Sequence, residues 1–175
     1  MSNSNNPLRL NIGFIIHQSI GYYRDLPFEF PYIHLKPDLD LKNLIGTVRV
    51  TRTAQGLLVQ GKMRAVTPVE CVRCLADFEQ PLEIDFTELF AFTSSSVTEA
   101  GLYVPENGLL DLAPLIRDEM YLAIPISPVC EPDCKGLCPI CGENLNETTC
   151  HHEEDNVDLG LNSLKELFQK GQDFS

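Results

Sequence analysis

No run of about 20 apolar residues, the length a helix needs to cross a bilayer, occurs in the 175-residue sequence, so no membrane association is expected. Met1 to Asn6 carries no positive charge, and the apolar stretch Ile12 to Ile16 is cut short by His17 and Gln18; a secretory leader is therefore not expected either. These absences point to a cytoplasmic setting, where thiols stay reduced. Basic residues are scarce, with 13 Lys and Arg against 25 Asp and Glu and a formal net charge of -12. Such a balance argues against a simple nucleic-acid glove. Nucleophile and phosphate-binding motifs are missing, as is any internal repeat of 20 residues or more. The expectation is a protein that is not an enzyme and takes no small-molecule substrate.

What is present begins with enough apolar residues, 43%, to bury a core in a chain of this length. Charge is segregated. Met1 to Leu75 holds nine Lys or Arg against five Asp or Glu, Ala76 to Ile126 holds one against ten, and Ser127 to Ser175 holds three against ten. One surface then suits anions, and a larger one suits a basic partner.

The pattern predicts an α+β fold: a mainly antiparallel β-sheet domain with one or two helices and a small C-terminal zinc-binding module. Residues 1–126 form the β-rich domain, 127–155 the cysteine-rich module and 156–175 a C-terminal helix. Leu8 to Leu35, with breakers at Gly13, Gly21, Pro27 and Pro31, predicts short strands. Thr47 to Ala54 and Leu57 to Val66 flank Gln55-Gly56, which predicts a two-residue hairpin turn with Arg49 opposite Lys62 and Thr47 opposite Arg64. After Pro68 a further pair is expected, Val69 to Cys71 and Phe78 to Phe90. Asp111 is a candidate N-cap for a helix that carries Leu112, Leu115, Ile116, Met120 and Ala123 on one stripe and stops at Pro125. Leu161, Leu164, Leu167 and Phe168 suggest the last, short amphipathic helix.

Seven cysteines, an odd number, fit paired bridges poorly and metal ligation well. They fall as Cys71-x2-Cys74, Cys130-x3-Cys134-x3-Cys138-x2-Cys141 and Cys150, with His151 and His152 adjacent. Zinc takes four thiolate or imidazole ligands in a tetrahedron, and a CxxC turn aims two sulfurs at one point. Cys138 and Cys141 pair most simply with Cys150 and either His152 or His151. Cys71, Cys74, Cys130 and Cys134 then make the other site, pinning a turn of the sheet to the segment after the helix. Eight donors give two Zn2+ per chain, both with closed shells, as structural sites have. An iron–sulfur cluster, which also uses all-cysteine ligation, stays open as an alternative. With seven thiolates and two zinc ions the net charge becomes about -15.

Arg49 facing Lys62, with Arg64 beside them, would set like charges across a strand pair, an arrangement that a phosphate backbone offsets. These three are the candidate RNA-binding residues. The competing reading has them meet acidic groups such as Glu83 or Asp85 from the next strand.

The order CxRCL at Cys71 to Leu75, D-L-x-P-L-I-R-D-E from Asp111, and C-x3-DCKGLCPxCGxNLN from Cys130 to Asn146 followed by Cys150 resembles the YceD-like large ribosomal RNA subunit accumulation family. The resemblance implies a binding factor for 23S ribosomal RNA accumulation and large-subunit assembly. Its expected partner is ribosomal RNA or a pre-ribosomal particle; the acidic charge of the body, read separately, suits docking to a basic ribosomal protein. The family's tail often ends in Cys-x-Cys, where this chain has Cys150-His151-His152. A zinc-ribbon adaptor of transcription or metal homeostasis is the alternative function.

Overall fold

The computed structural model describes residues 7–152; the C-terminal helix expected over 156–175 lies outside the described residues. Among these residues six strands and two α-helices follow in the order β1 (Arg9–Asn11), α1 (Gly13–Ile16), β2 (Tyr23–Leu35), β3 (Leu39–Arg52), β4 (Gly56–Glu70), β5 (Asp77–Ala91), β6 (Leu109–Asp111) and α2 (Ala113–Ala123). Strands β2-β3-β4-β5 form an antiparallel meander, and β1 pairs with β6 in a second, two-stranded sheet. The fold is thus mainly antiparallel sheet with two helices. Among the described residues no helix is long and apolar enough to cross a membrane. The chain divides into two compact units between Cys134 and Lys135.

Alternation builds the first unit. Val48 and Val50 of β3, Val59 and Met63 of β4, and Leu82, Ile84 and Phe86 of β5 are buried on one face of the meander, as a period of two requires. Ile12 and Ile15 around α1 and Leu112, Ile116 and Met120 around α2 join them in one core. The helical stripe read from the sequence is therefore the buried one. Asp111 is displaced from its expected role: the N-cap position is Leu112. Its carboxylate still accepts the Ala113 N–H at 2.9 Å.

Three strand expectations are corrected. Tyr23 to Leu35 is one strand of 13 residues rather than several short ones, because β2 is a sheet edge, where Pro27 and Pro31 cost little. Pro68 does not interrupt β4, which runs on to Glu70; pairing with β3 ends at Lys42 opposite Val66, so Pro68 also lies where one flank is free. The β3–β4 register differs by two residues from the expected one: Arg49 pairs with Gln60, Thr47 with Lys62 and Ile45 with Arg64. Turn chemistry is the cause. Thr53 N–H donates to the Gly56 carbonyl at 2.9 Å, and the Thr53 hydroxyl accepts the Gly56 N–H at 3.1 Å. The turn therefore spans Thr53 to Gly56: it keeps two central residues but places Ala54-Gln55 there instead of Gln55-Gly56, closed on one side by the Thr53 hydroxyl. A shift of two keeps every side chain on its face and changes only its cross-strand neighbour.

Candidate metal centres

Two cysteine turns share one backbone design. Cys71 N–H donates to the Ala76 carbonyl at 2.9 Å and Leu75 N–H to the Cys71 carbonyl at 2.9 Å; Cys138 N–H donates to the Glu143 carbonyl at 2.8 Å and Gly142 N–H to the Cys138 carbonyl at 2.9 Å. The first turn joins β4 to β5, so the meander itself aims Cys71 and Cys74. The residue after the second cysteine must turn left-handed, with φ 58° at Leu75 and 77° at Gly142. Glycine adopts this freely; for a leucine it costs about 1–2 kcal/mol.

The first turn meets the segment after α2. Val72 N–H donates to the Pro128 carbonyl at 3.0 Å and Arg73 Nη1 to the Cys134 carbonyl at 2.9 Å. Sγ of Cys71 lies 3.9 Å from that of Cys134, and Sγ of Cys74 lies 3.7 Å from that of Cys130. All four sulfurs are within 4.8 Å of one another. A tetrahedral site with Zn–S near 2.3 Å requires sulfurs about 3.8 Å apart, so the donors fit one such ion. Three of the four cysteines are buried.

In the second unit the donor atoms of Cys138, Cys141, Cys150 and His152 gather within 4.8 Å, so His152 and not His151 is the histidine of the group. The shell is more open here, with Cys141 and His152 exposed. Asparagines brace it: Lys135 N–H donates to Asn146 Oδ1 at 2.8 Å, Asn146 N–H to Asn144 Oδ1 at 3.1 Å, and Leu145 N–H to the Gly136 carbonyl at 2.9 Å. The two groups could each hold a metal ion.

The thiols themselves favour a cation. Burial would push the Cys71 thiol up, but N–H groups of Cys130, Cys74 and Arg73 together hold it down at about 6. N–H groups of Cys141 and Ile140 bring Cys138 to about 6 as well. Burial and the neighbouring sulfurs of Cys134, Cys74 and Cys71 push Cys130 up to about 12. Cys138 beside it, then burial, pushes Cys150 up to about 11. One thiolate in each group thus resists a second. A divalent ion removes the conflict by supplying the missing positive charge.

The family model "Large ribosomal RNA subunit accumulation protein YceD" matches residues 59–168, more than half of the chain. This chain belongs to the YceD family. An uncharacterized protein of Mycobacterium tuberculosis is 40% identical over 123 residues, covering 67% of this chain and 55% of its own. The maize "Large ribosomal RNA subunit accumulation protein YCED homolog 1, chloroplastic" is 46% identical over 160 residues, covering 72% of this chain and 54% of its own. A Bacillus subtilis protein is 28% identical over 102 residues, covering 57% and 59%. The chain spans about half the length of the curated relatives it matches. No solved structure matches it.

All eight donors of this YceD-family chain fall inside the matched residues. The basic residues singled out in the sequence differ in setting from expectation. Arg49 does not face Lys62: it forms a bidentate pair with Asp25, Nε to Oδ1 at 2.7 Å and Nη2 to Oδ2 at 2.9 Å, and lies 4.6 Å over the Tyr23 ring. The hydrogen bond from Arg49 holds the Asp25 carboxyl below its usual range. Lys62 Nζ lies 2.8 Å from Asp85, and Arg64 stands opposite Glu83 in the register. The two-residue shift thus replaces the expected like-charge pair by neutral neighbours across β3–β4, and the acidic partners come from the outer strands, Asp25 on β2 and Asp85 and Glu83 on β5. Arg52, the cation on the buried face, is anchored by the Ile16 carbonyl at 3.0 Å and stacks 4.3 Å over Phe92.

Proposed function

We propose that this YceD-family chain is a non-enzymatic binding factor of the cytoplasm that holds two zinc ions and supports 23S ribosomal RNA accumulation and large-subunit assembly. The observation that carries this reading is that the family match encloses both four-donor groups. Four protein donors close a tetrahedron and leave no position for a reacting water, which is the structural kind of site. Sulfurs within 4.8 Å suit a single ion, since a cluster must seat several irons and sulfides between its ligands. The maize relative is named for large ribosomal RNA subunit accumulation, which supports the same role for this chain.

Cells lacking the protein are expected to hold fewer large subunits and less 23S RNA relative to small subunits, measured by gradient profiles and RNA ratios. Unchanged ratios would remove the reading. Purified zinc-loaded protein incubated with precursor ribosomal RNA is expected to associate without creating new RNA ends; ends that vanish on mutation of one residue here would reveal an enzyme instead.

Contact with RNA phosphates is assigned in this reading to Arg49, Lys62 and Arg64. The exposed ion pairs of Arg49 and Lys62 are worth little, so exchanging a carboxylate for a phosphate is cheap. Replacing all three with Glu is expected to weaken association with ribosomal RNA and to flatten the salt dependence by up to about three slope units. An unaltered slope would leave this face a solvated sheet surface.

A further inference from the structure

The two cysteine turns have the same hydrogen-bond frame, so their matching positions can be compared directly. In the second turn the left-handed position is Gly142, and a Cβ added there would meet nothing within 4 Å: the position points outward. In the first turn it is Leu75, which carries the strained φ of 58° and leaves its side chain 56% exposed. Packing does not explain a leucine there, and glycine would remove the strain. Strain kept at an exposed position points to use by something outside the chain. Val72, on the same turn, is 53% exposed, and its N–H reaches Pro128, two residues beyond the fully exposed Ile126.

The surroundings of this apolar tip are acidic. Glu70 and Asp77 stand directly opposite each other where β4 and β5 enter the turn, both exposed, and among the described residues neither has an ion pair. Facing like charges destabilise a strand pair. Glu131 and Asp133, exposed between the second pair of donors, add to the same sign. The local cation, Arg73, is already committed to the Cys134 carbonyl. Four thiolates around one divalent ion leave the centre itself negative.

We propose that the outer surface of the first cysteine turn, led by Leu75 and Val72 and rimmed by Glu70 and Asp77, docks a lysine- and arginine-rich segment of a partner protein that inserts an apolar side chain against Leu75. This rests on the binding-factor reading above and gives it a partner class. A cationic segment offsets the facing carboxylates, covers the exposed leucine and valine, and makes use of the strained backbone. A nucleic-acid backbone would be repelled by the same carboxylates.

The test compares the zinc-loaded full chain with Leu75→Gly, using a fluorescein-labelled peptide of alternating Lys and Leu, a Lys and Ser peptide of equal length, and a 23S RNA fragment. Leu75→Gly is expected to keep its metal, melt no lower than the parent and bind the Lys/Leu peptide about tenfold more weakly; the Lys/Ser peptide should bind the parent weakly. Glu70→Lys with Asp77→Lys should also weaken the peptide without lowering the melting temperature. Equal peptide binding by Leu75→Gly overturns the proposal, and so does a lower melting temperature, which would make Leu75 a packing residue. Loss of RNA binding with peptide binding intact overturns it in favour of an RNA surface. In cells, a deletion deficit fully restored by Leu75→Gly fails this surface alone, whereas a deletion without a deficit fails the binding-factor reading.

Discussion

Replacing Cys74 with Ser is expected to remove one of two metal ions and lower the melting temperature of the sheet unit by roughly 8–16 °C, read by elemental analysis and calorimetry. The first centre joins Cys71 to Cys134, 63 positions apart. A cross-link over a loop of that size restricts the unfolded chain by about 4 kcal/mol, and for a chain of this length each kcal/mol is about 2–4 °C. Three sulfurs left crowded without a full shell add to the loss. Cys138→Ser should also remove one ion, yet leave that transition in place, because its donors run from Cys138 to His152 within the second unit. Equal melting of Cys74→Ser and the parent would show that the first centre does not hold the meander to the segment after α2.

Gly56→Ala is expected to cost about 3 kcal/mol, a fall of roughly 6–12 °C, although it adds one methyl group. A Cβ at Gly56 would lie 2.1 Å from the Phe90 carbonyl oxygen and 3.0 Å from the Ala91 Cα. These are backbone atoms of a paired strand and cannot swing aside as a side chain can. Gly56 also closes the Thr53 turn through both its N–H and its carbonyl, so relief by shifting the strand would strip the turn. Unchanged denaturant midpoints for this variant would mean that β5 yields at its end far more easily than its pairing suggests.

The donor grouping was legible because CxxC spacing is local chemistry, and the spacing already paired Cys71 and Cys74 with Cys130 and Cys134. The buried face of the meander was legible too, since a period of two survives a register error of two. The register itself was not. Gln55-Gly56 looks like the turn when glycine is weighed alone, and the Thr53 hydroxyl three positions earlier, which decides the matter, gives a weaker signal. The edge position of β2 that excuses Pro27 and Pro31 depends on sheet order, which no local pattern carries. His152 over His151 was a choice between neighbours that only the fold of the loop makes. Leu75 was missed although its cue was present: aligning Cys71-x2-Cys74-Leu75 with Cys138-x2-Cys141-Gly142 puts a leucine where its twin has glycine. Arg73, which ties the turn to Cys134, had no cue of that kind.

The span of the first centre also bears on synthesis. Cys71 leaves the ribosome 63 residues before Cys134, a delay of about 3–13 s at ordinary elongation rates. During that interval the β4–β5 turn can form with only half of its ligands, and backbone N–H groups of Cys74 and Arg73, two of those that favour the Cys71 thiolate, are already in place. The nascent chain therefore carries an incompletely shielded pair of sulfurs while it waits for α2 and the segment beyond it. The second centre, with donors 138 to 152, closes almost as soon as it emerges. Oxidant or metal shortage during translation should accordingly damage the first centre before the second, although in the finished protein the first is the better buried.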